Sequence, residues 1–551
     1  MASGKAWNRR LALAGGVALA AGGATLALRR PEGDHRRIPD AKTFRRGNVA
    51  EPQTLDPIIS SGVQEFEILG DLMMGLLGHS PEAKPIPGMA THWETSADGL
   101  TWTFQLREAQ WSDGVPVTAE DFVFSWRRIL DPAIASTYSY FLYLVKNAQA
   151  INGGKLPATA LGARALDAHT FEIQLVHPAP YLLEMLTHTA TMPLPKHLVE
   201  AKGAQWARPG TYVSNGPFVL KSWIPNEYVL LEKNPRFYDA ANVALERVYY
   251  YPTADYGEAL QRFRAGELDF QDRFPEQQID WVKKNIPQTI DPMPQLITDI
   301  IAFNLKKKPF DDIRVREAIN LALNREAITG RVLRAGHLPA YSVVPPGIVN
   351  YPHGTGLAFR DLPYAQRLER AQSLMRAAGY DANHRLKTSY MTRATTPGIY
   401  RAVAAAIQQM LAQVFVDIAI LPTDMQVFYP AIQAHDFEIA QSGWQADFND
   451  ASNFLDLYRT GSGNNWGEYS NPAFDRAMDL AQRDTNLESR GRKLAAAETI
   501  MLNDYAAAPL FYWVNLNLTW PYVKGFQANP PDYHRCRWVT IDQAARLKQF
   551  A

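Results

Sequence analysis

Few residues of this 551-residue chain are spaced for covalent or metal chemistry. Twelve histidines are scattered along it; His188 and His197 lie near each other but lack the spacing of zinc ligands. Cys536 is the lone cysteine, which excludes both an internal disulfide and a cysteine-rich metal site. No G-x-x-x-x-G-K-[ST] phosphate loop, H-E-x-x-H helix or G-x-S-x-G nucleophile elbow occurs. A triad assembled from distant residues would leave no such trace, but these absences favour a protein that is not an enzyme and needs no cofactor and no metal. Aromatic residues are plentiful instead, with 24 Tyr, 24 Phe and 13 Trp. The run Tyr138-Ser139-Tyr140-Phe141-Leu142-Tyr143 suits a large amphipathic pocket, because tyrosine brings area and a polar tip; the same rings also suit a packed core. In Trp444-Gln445-Ala446-Asp447-Phe448 a carboxylate sits among rings that would keep water from an ion pair.

The elements that must position these residues are a mixture of strands and helices. Thr101–Leu106 alternates apolar and polar residues as a half-buried strand does, and Phe171–Val176 and Tyr228–Leu231 read alike. Between Pro116 and Pro132, Thr118 is an N-cap with Asp121 three residues on. Phe122, Val123, Trp126, Ile129 and Leu130 then form one apolar face. A second helix is expected over Asp311–Ala327, with two aspartates at its positive end and Val315, Ala318, Ile319, Ala322 and Leu323 as its buried stripe. Further helices are expected over Ala402–Phe415 and Pro472–Gln482. This pattern is α/β.

With 46% hydrophobic and 20% charged residues the chain has the composition of a large globular protein that folds without staples. Lys5, Arg9 and Arg10 precede the uncharged run Leu11–Leu28, which reads as an export signal over residues 1–28 or as an uncleaved membrane anchor of the same span. Residues 29–42, charged and proline-containing, read as a linker, so the folded body should begin near Thr43. Formal charge is zero overall; without the first 28 residues there are 53 basic against 56 acidic residues, a net of −3. That balance speaks against a nucleic-acid partner.

Several segments in order resemble the peptide/oligopeptide-binding family of ABC-transporter solute-binding proteins. They are Glu51-Pro52-Gln53-Thr54-Leu55-Asp56-Pro57; Thr91 to Phe104, similar to W-x-x-S-x-D-G-L-x-x-x-F; Trp111-Ser112-Asp113-Gly114; Asn215-Gly216-Pro217-Phe218; Pro309-Phe310-Asp311-Asp312; Gly443-Trp444-Gln445-Ala446-Asp447; and Tyr522-Val523-Lys524-Gly525. The resemblance covers about Thr43 to Asp542 and implies a two-lobed periplasmic-binding-protein fold with an extra inserted domain. Carried over, lobe I would hold residues 42–73, 198–299 and 515–545, the inserted domain 74–197, and lobe II 300–514. A ligand would lie in the cleft between lobes that close by hinge motion.

The same resemblance implies the site. Asp447 matches the position that binds a peptide's amino terminus, Gly443 and Gln445 would hydrogen-bond the ligand through their backbones, and Trp444 would wall the pocket. Val63 would add main-chain contacts from lobe I, and Tyr138 and Tyr140 would reach in from the inserted domain. Relatives that clamp a short peptide's carboxyl end use a basic residue six positions before the aspartate, where this chain has Gln441; a second basic anchor aligns near Ile399, close to Arg401, and an aromatic position reads Met425. Neutral Gln441 cannot pair with a carboxylate as arginine does, which puts capture of a free carboxyl terminus in doubt. The reading is a monomeric periplasmic carrier of peptides that works with an ABC-transporter permease. A modified or non-peptide ligand, a peptide-binding chaperone and an exported hydrolase are the alternatives.

Overall fold

A computed structural model describes residues 39–394 and 399–550. The expected signal segment 1–28 and most of the expected linker lie outside the described residues. Among those described, no helix is long and apolar enough to cross a membrane.

Two six-stranded sheets organise the body. In the first, the strand order is Leu518–Thr519, Phe270–Gln271, Thr43–Asn48, Arg247–Pro252, Tyr228–Lys233 and Phe218–Ile224. Thr43–Asn48 runs parallel to Arg247–Pro252, with Thr43 opposite Arg247. The second sheet has the order Leu338–Pro339, Ala507–Val514, Pro294–Phe303, Ile439–Gln445, Leu386–Arg393 and Val416–Thr423. Each sheet has its own apolar core. The chain passes from the first sheet to the second between Gln271 and Pro294, and returns between Val514 and Leu518. The molecule therefore has two lobes joined by two crossing segments.

A four-stranded antiparallel sheet of Ala90–Thr95, Thr101–Leu106, Thr170–Gln174 and Ala163–Asp167 shares the first lobe's core. In Thr101–Leu106 the side chains of Trp102, Phe104 and Leu106 are buried, as the alternation requires. Helix Ala119–Ile129 covers this sheet. Trp126 meets Phe171 edge-on at 5.1 Å, and its ring N–H donates to Thr191 O at 3.0 Å. Asp121 ties the helix down: its Oδ2 accepts the backbone N–H of Thr118 at 2.8 Å, and its Oδ1 accepts that of Lys196 at 3.2 Å. Asp121→Ala removes both anchors, the first of them its half of the capping box, so a loss of about 2 kcal/mol is expected in urea unfolding, the upper end for a cap; an unchanged midpoint would contradict it.

Two expected helices end differently from their sequence pattern. The second helix begins as expected, with Asp312 Oδ1 accepting the N–H of Arg314 at 2.9 Å, but stops at Ala322 rather than Ala327. The cause is Arg325, fully buried, whose guanidinium donates to Asn320 O, Leu323 O and Pro509 O. It satisfies carbonyls that the broken helix frees, as helix ends require. The helix expected over Ala402–Phe415 spans Ile399–Ala412, because Phe415 adopts φ of 65°, outside the right-handed helix.

Candidate functional site

Asp447 lies just beyond strand Ile439–Gln445 of the second lobe, half-buried. Its Oδ2 accepts the hydroxyl of Tyr140, which lies between strands Thr101–Leu106 and Ala163–Asp167, at 3.0 Å. Its backbone N–H points at Asn453 Oδ1, which also accepts the indole N–H of Trp444 at 2.6 Å. Asn453 thus positions the tryptophan and the aspartate together. Burial pushes the Asp447 carboxyl up to about 6; hydrogen bonds from Tyr140 and Asn453 oppose the rise, and no cationic side chain contributes.

Rings surround this carboxylate. Tyr140 stacks on Tyr138 at 5.8 Å, and Tyr138 stacks on His188 at 5.0 Å. Phe66, in helix Val63–Leu72, meets Tyr138 edge-on at 5.4 Å. Phe448 lies flat against Tyr181 at 5.2 Å. Val63, first residue of its helix, is 45% exposed. The fold thus brings Asp447, Trp444, Tyr140 and Tyr138 together, with the helix of Val63 beside them.

Strand Ile439–Gln445 has an open edge. On one side it pairs with Pro294–Phe303 along its whole length, from Ile439 opposite Phe303 to Gln445 opposite Ile297. On the other side only Ile439 and Ala440 pair, with Tyr390 and Met391. Among the described residues the backbone from Gln441 to Gln445 has no strand partner there, and Gly443 lies within this stretch. A Cβ on Gly443 would sit 2.9 Å from Thr298 O, so the strand packs closely on its paired side.

Gln441 is 1% exposed. Its side chain donates to Asp299 Oδ2 at 3.1 Å and accepts from Arg393 Nε at 2.8 Å. Burial pushes Asp299 up to about 7, against the pull of Arg393 and of hydrogen bonds from Gln441 and Trp513. Met425 opens helix Met425–Gln433 at 39% exposure, while Phe428 and Ile432 of that helix pack on Met391 and Ala440. Neither Gln441 nor Met425 shares a hydrogen-bond partner with Asp447. Ile399 lines a cavity between the lobes, and Arg401 is exposed. Asn453, Asp299 and Arg393 were not singled out by sequence reasoning. Arg393 reaches Gln441 only because two parallel strands lie side by side, a pairing that a separation of 48 positions conceals.

Two lobes joined by two crossings, with a carboxylate that has no cationic partner among the described residues and an open strand edge at their junction, define a protein built to hold a solute between domains. The chain belongs to the bacterial extracellular solute-binding proteins, family 5, whose sequence profile matches residues 84–466. It is similar to the periplasmic oligopeptide-binding protein OppA of Salmonella typhimurium, 36% identical over 534 residues, which cover 95% of this chain and 97% of the relative. Among solved structures it is similar to Haemophilus influenzae OppA in complex with RPPGFSPFR, at 34% identity and a TM-score of 0.77, covering 92% of this chain and all of that one. It also resembles the Escherichia coli murein tripeptide binding protein MppA, at 31% identity and a TM-score of 0.79, covering 92% and 99%.

Proposed function

We propose that this chain captures peptides outside the cytoplasm and delivers them to the permease of an ABC transporter, acting as a monomeric carrier rather than as a catalyst. Residues 1–28 would direct its export to the periplasm. In this reading Asp447 binds the ligand's amino group, Trp444 walls the pocket, and Gly443 and Gln445 pair with the ligand backbone. Val63, Tyr138 and Tyr140 close over it from the other side. Residues 42–73, 198–299 and 515–545 form lobe I, residues 74–197 the inserted domain and residues 300–514 lobe II.

The observation that carries the reading is Asp447 itself. A half-buried carboxylate whose nearest side-chain partner is a neutral hydroxyl is incomplete, and an ammonium is the group that completes it. The open edge from Gln441 to Gln445 supplies the second element, since an extended peptide can add as a strand and leave its side chains to separate pockets. Similarity to two peptide-binding relatives over most of the chain supports the same ligand class.

Native mass spectrometry of the purified protein tests this. A ladder of added masses that fragments as peptides is expected, and added peptides should raise the melting temperature. An empty protein that no peptide stabilises would overturn the reading in favour of a specialised non-peptide ligand.

A further inference from the structure

The chain that leaves the four-stranded sheet meets the second lobe beside Asp447. Tyr181, which precedes the short helix Leu182–Met185, packs on the first lobe's core. Two second-lobe groups cover its ring. Phe448 lies parallel to it, with 5.2 Å between ring centres and 5° between planes. The Arg490 guanidinium, from helix Leu487–Asn503, stands 4.7 Å from the ring centre. Asp450 fixes Arg490 in place: Oδ2 pairs with Arg490 Nη1, while Oδ1 accepts the backbone N–H of Ser452 at 2.9 Å and its hydroxyl at 2.6 Å. Arg490 and Asp450 are both buried, so second-lobe groups hold the guanidinium ready for the ring. Phe448 packs against the first lobe's core and meets Phe141 edge-on at 6.1 Å, whereas Trp444 of the same segment packs against the second lobe's core. The surfaces also come close nearby. A Cβ on Gly99, in the turn between strands Ala90–Thr95 and Thr101–Leu106, would stand 3.3 Å from Thr485 Cγ2 of the second lobe.

We propose that Tyr181, Phe448 and Arg490 form a clasp between the lobes, which sets the affinity for every ligand by one common factor without touching any of them. Tyr181 moves with the first lobe, whose core it joins. Arg490 and the backbone of Phe448 move with the second. Opening the cleft therefore separates ring from ring and guanidinium from ring. Closing restores both contacts, and a stacked aromatic pair and a guanidinium over a tyrosine face each favour the closed arrangement. Their contribution is the same whatever lies in the cleft. A ligand held by the closed form alone gains affinity in proportion to the fraction of molecules that are closed. The clasp also acts locally. Phe448 follows Asp447 directly in the chain, so seating Phe448 on the first lobe brings the carboxylate to the Tyr140 hydroxyl, 3.0 Å away. Tyr181 is thus a positioning residue that works through Phe448. This role goes beyond the peptide reading and holds for any solute that the cleft encloses.

Calorimetry on the purified protein with one peptide in free and N-acetylated forms separates a clasp from a ligand contact. Tyr181→Ala should weaken both forms about tenfold, the size expected when a stacked pair and a cation–π contact are lost together, and leave the ratio between them unchanged. Stopped-flow measurement should place the loss mainly in faster dissociation. Tyr181→Phe, which keeps the ring, should keep the affinity. Tyr181→Leu fills the same space on the first lobe's core without a ring; it replaces the alanine variant if that one does not fold, and should weaken both forms several-fold. Unchanged affinity in the ringless variant, a loss confined to one form of the peptide, or an equal loss in Tyr181→Phe overturns the clasp. If no peptide binds the unaltered protein, the peptide reading fails by itself, and small-angle X-ray scattering without added ligand decides. A larger radius of gyration for Tyr181→Leu than for the unaltered protein and Tyr181→Phe supports the clasp, and equal radii overturn it.

Discussion

Asp447→Ala is expected to weaken binding of a peptide with a free amino terminus by about a hundredfold or more, because it leaves an enclosed ammonium without its counter-ion. Calorimetry with a matched pair of peptides, one free and one N-acetylated, isolates the effect. The free peptide should lose its advantage in the variant, while the acetylated one, already weak, should change little. An equal loss for both peptides would mean that Asp447 shapes the pocket without meeting the amine. Protons provide a second readout. Burial holds the Asp447 carboxyl at about 6, above its ordinary value of 3.8. Ionising it therefore costs stability as pH rises through that interval, and the cost is absent at lower pH, where the group is neutral in both states. A cationic ligand needs the ionised form, so affinity should fall about tenfold from pH 7 to pH 5 as the site takes up a proton. Asp447→Asn should bind weakly at both values and lose this dependence. A flat profile in the unaltered protein would show that some other group carries the recognition.

What could be read from the sequence is what depends on neighbours along the chain. Thr118 and Asp121 mark a helix start because a cap and its reciprocal partner are three residues apart. Thr101–Leu106 alternates because one sheet face is buried. The setting of Asp447 was legible for the same reason, since Trp444 and Phe448 flank it in the chain. What pairing across the fold decides was not legible. Gln441 reads as the loss of a positive charge, yet Arg393 stands 2.8 Å from it through a parallel strand contact. Tyr140 meets Asp447 although 307 positions separate them. The break after Ala322 also came from outside its own segment. The helical stripe continues to Leu323, and only burial of Arg325 against Pro509 O decides where the helix stops. Local pattern predicts elements; the placing of charges in a cleft depends on which distant strands become neighbours.

Asp269→Ala is the substitution expected to damage the fold most, and the reason lies in how lobe I is closed. Asp269 is fully buried just before strand Phe270–Gln271. One carboxylate oxygen accepts the backbone N–H of Arg45 at 2.8 Å and lies 2.5 Å from Arg546 Nη2; the other accepts the Tyr522 hydroxyl at 2.8 Å. These partners come from the first strand, the segment after the second crossing and the C-terminal helix Gln543–Gln549. Arg546 itself reaches on to the carbonyls of Asp40 and Thr43. A single side chain thus fastens the beginning and the end of the chain to its middle. Without it, the buried guanidinium of Arg546 loses its carboxylate and that of Arg45 loses its nearby acid, at a cost of about 3–5 kcal/mol. Calorimetric unfolding should show the transition of the first lobe falling below that of the second, while peptide binding below that transition stays intact because no Asp269 partner touches Asp447. If both lobes unfold together at the original temperature, the cluster contributes little; if binding is lost while the lobe remains folded, the crossings transmit strain from this cluster to the cleft.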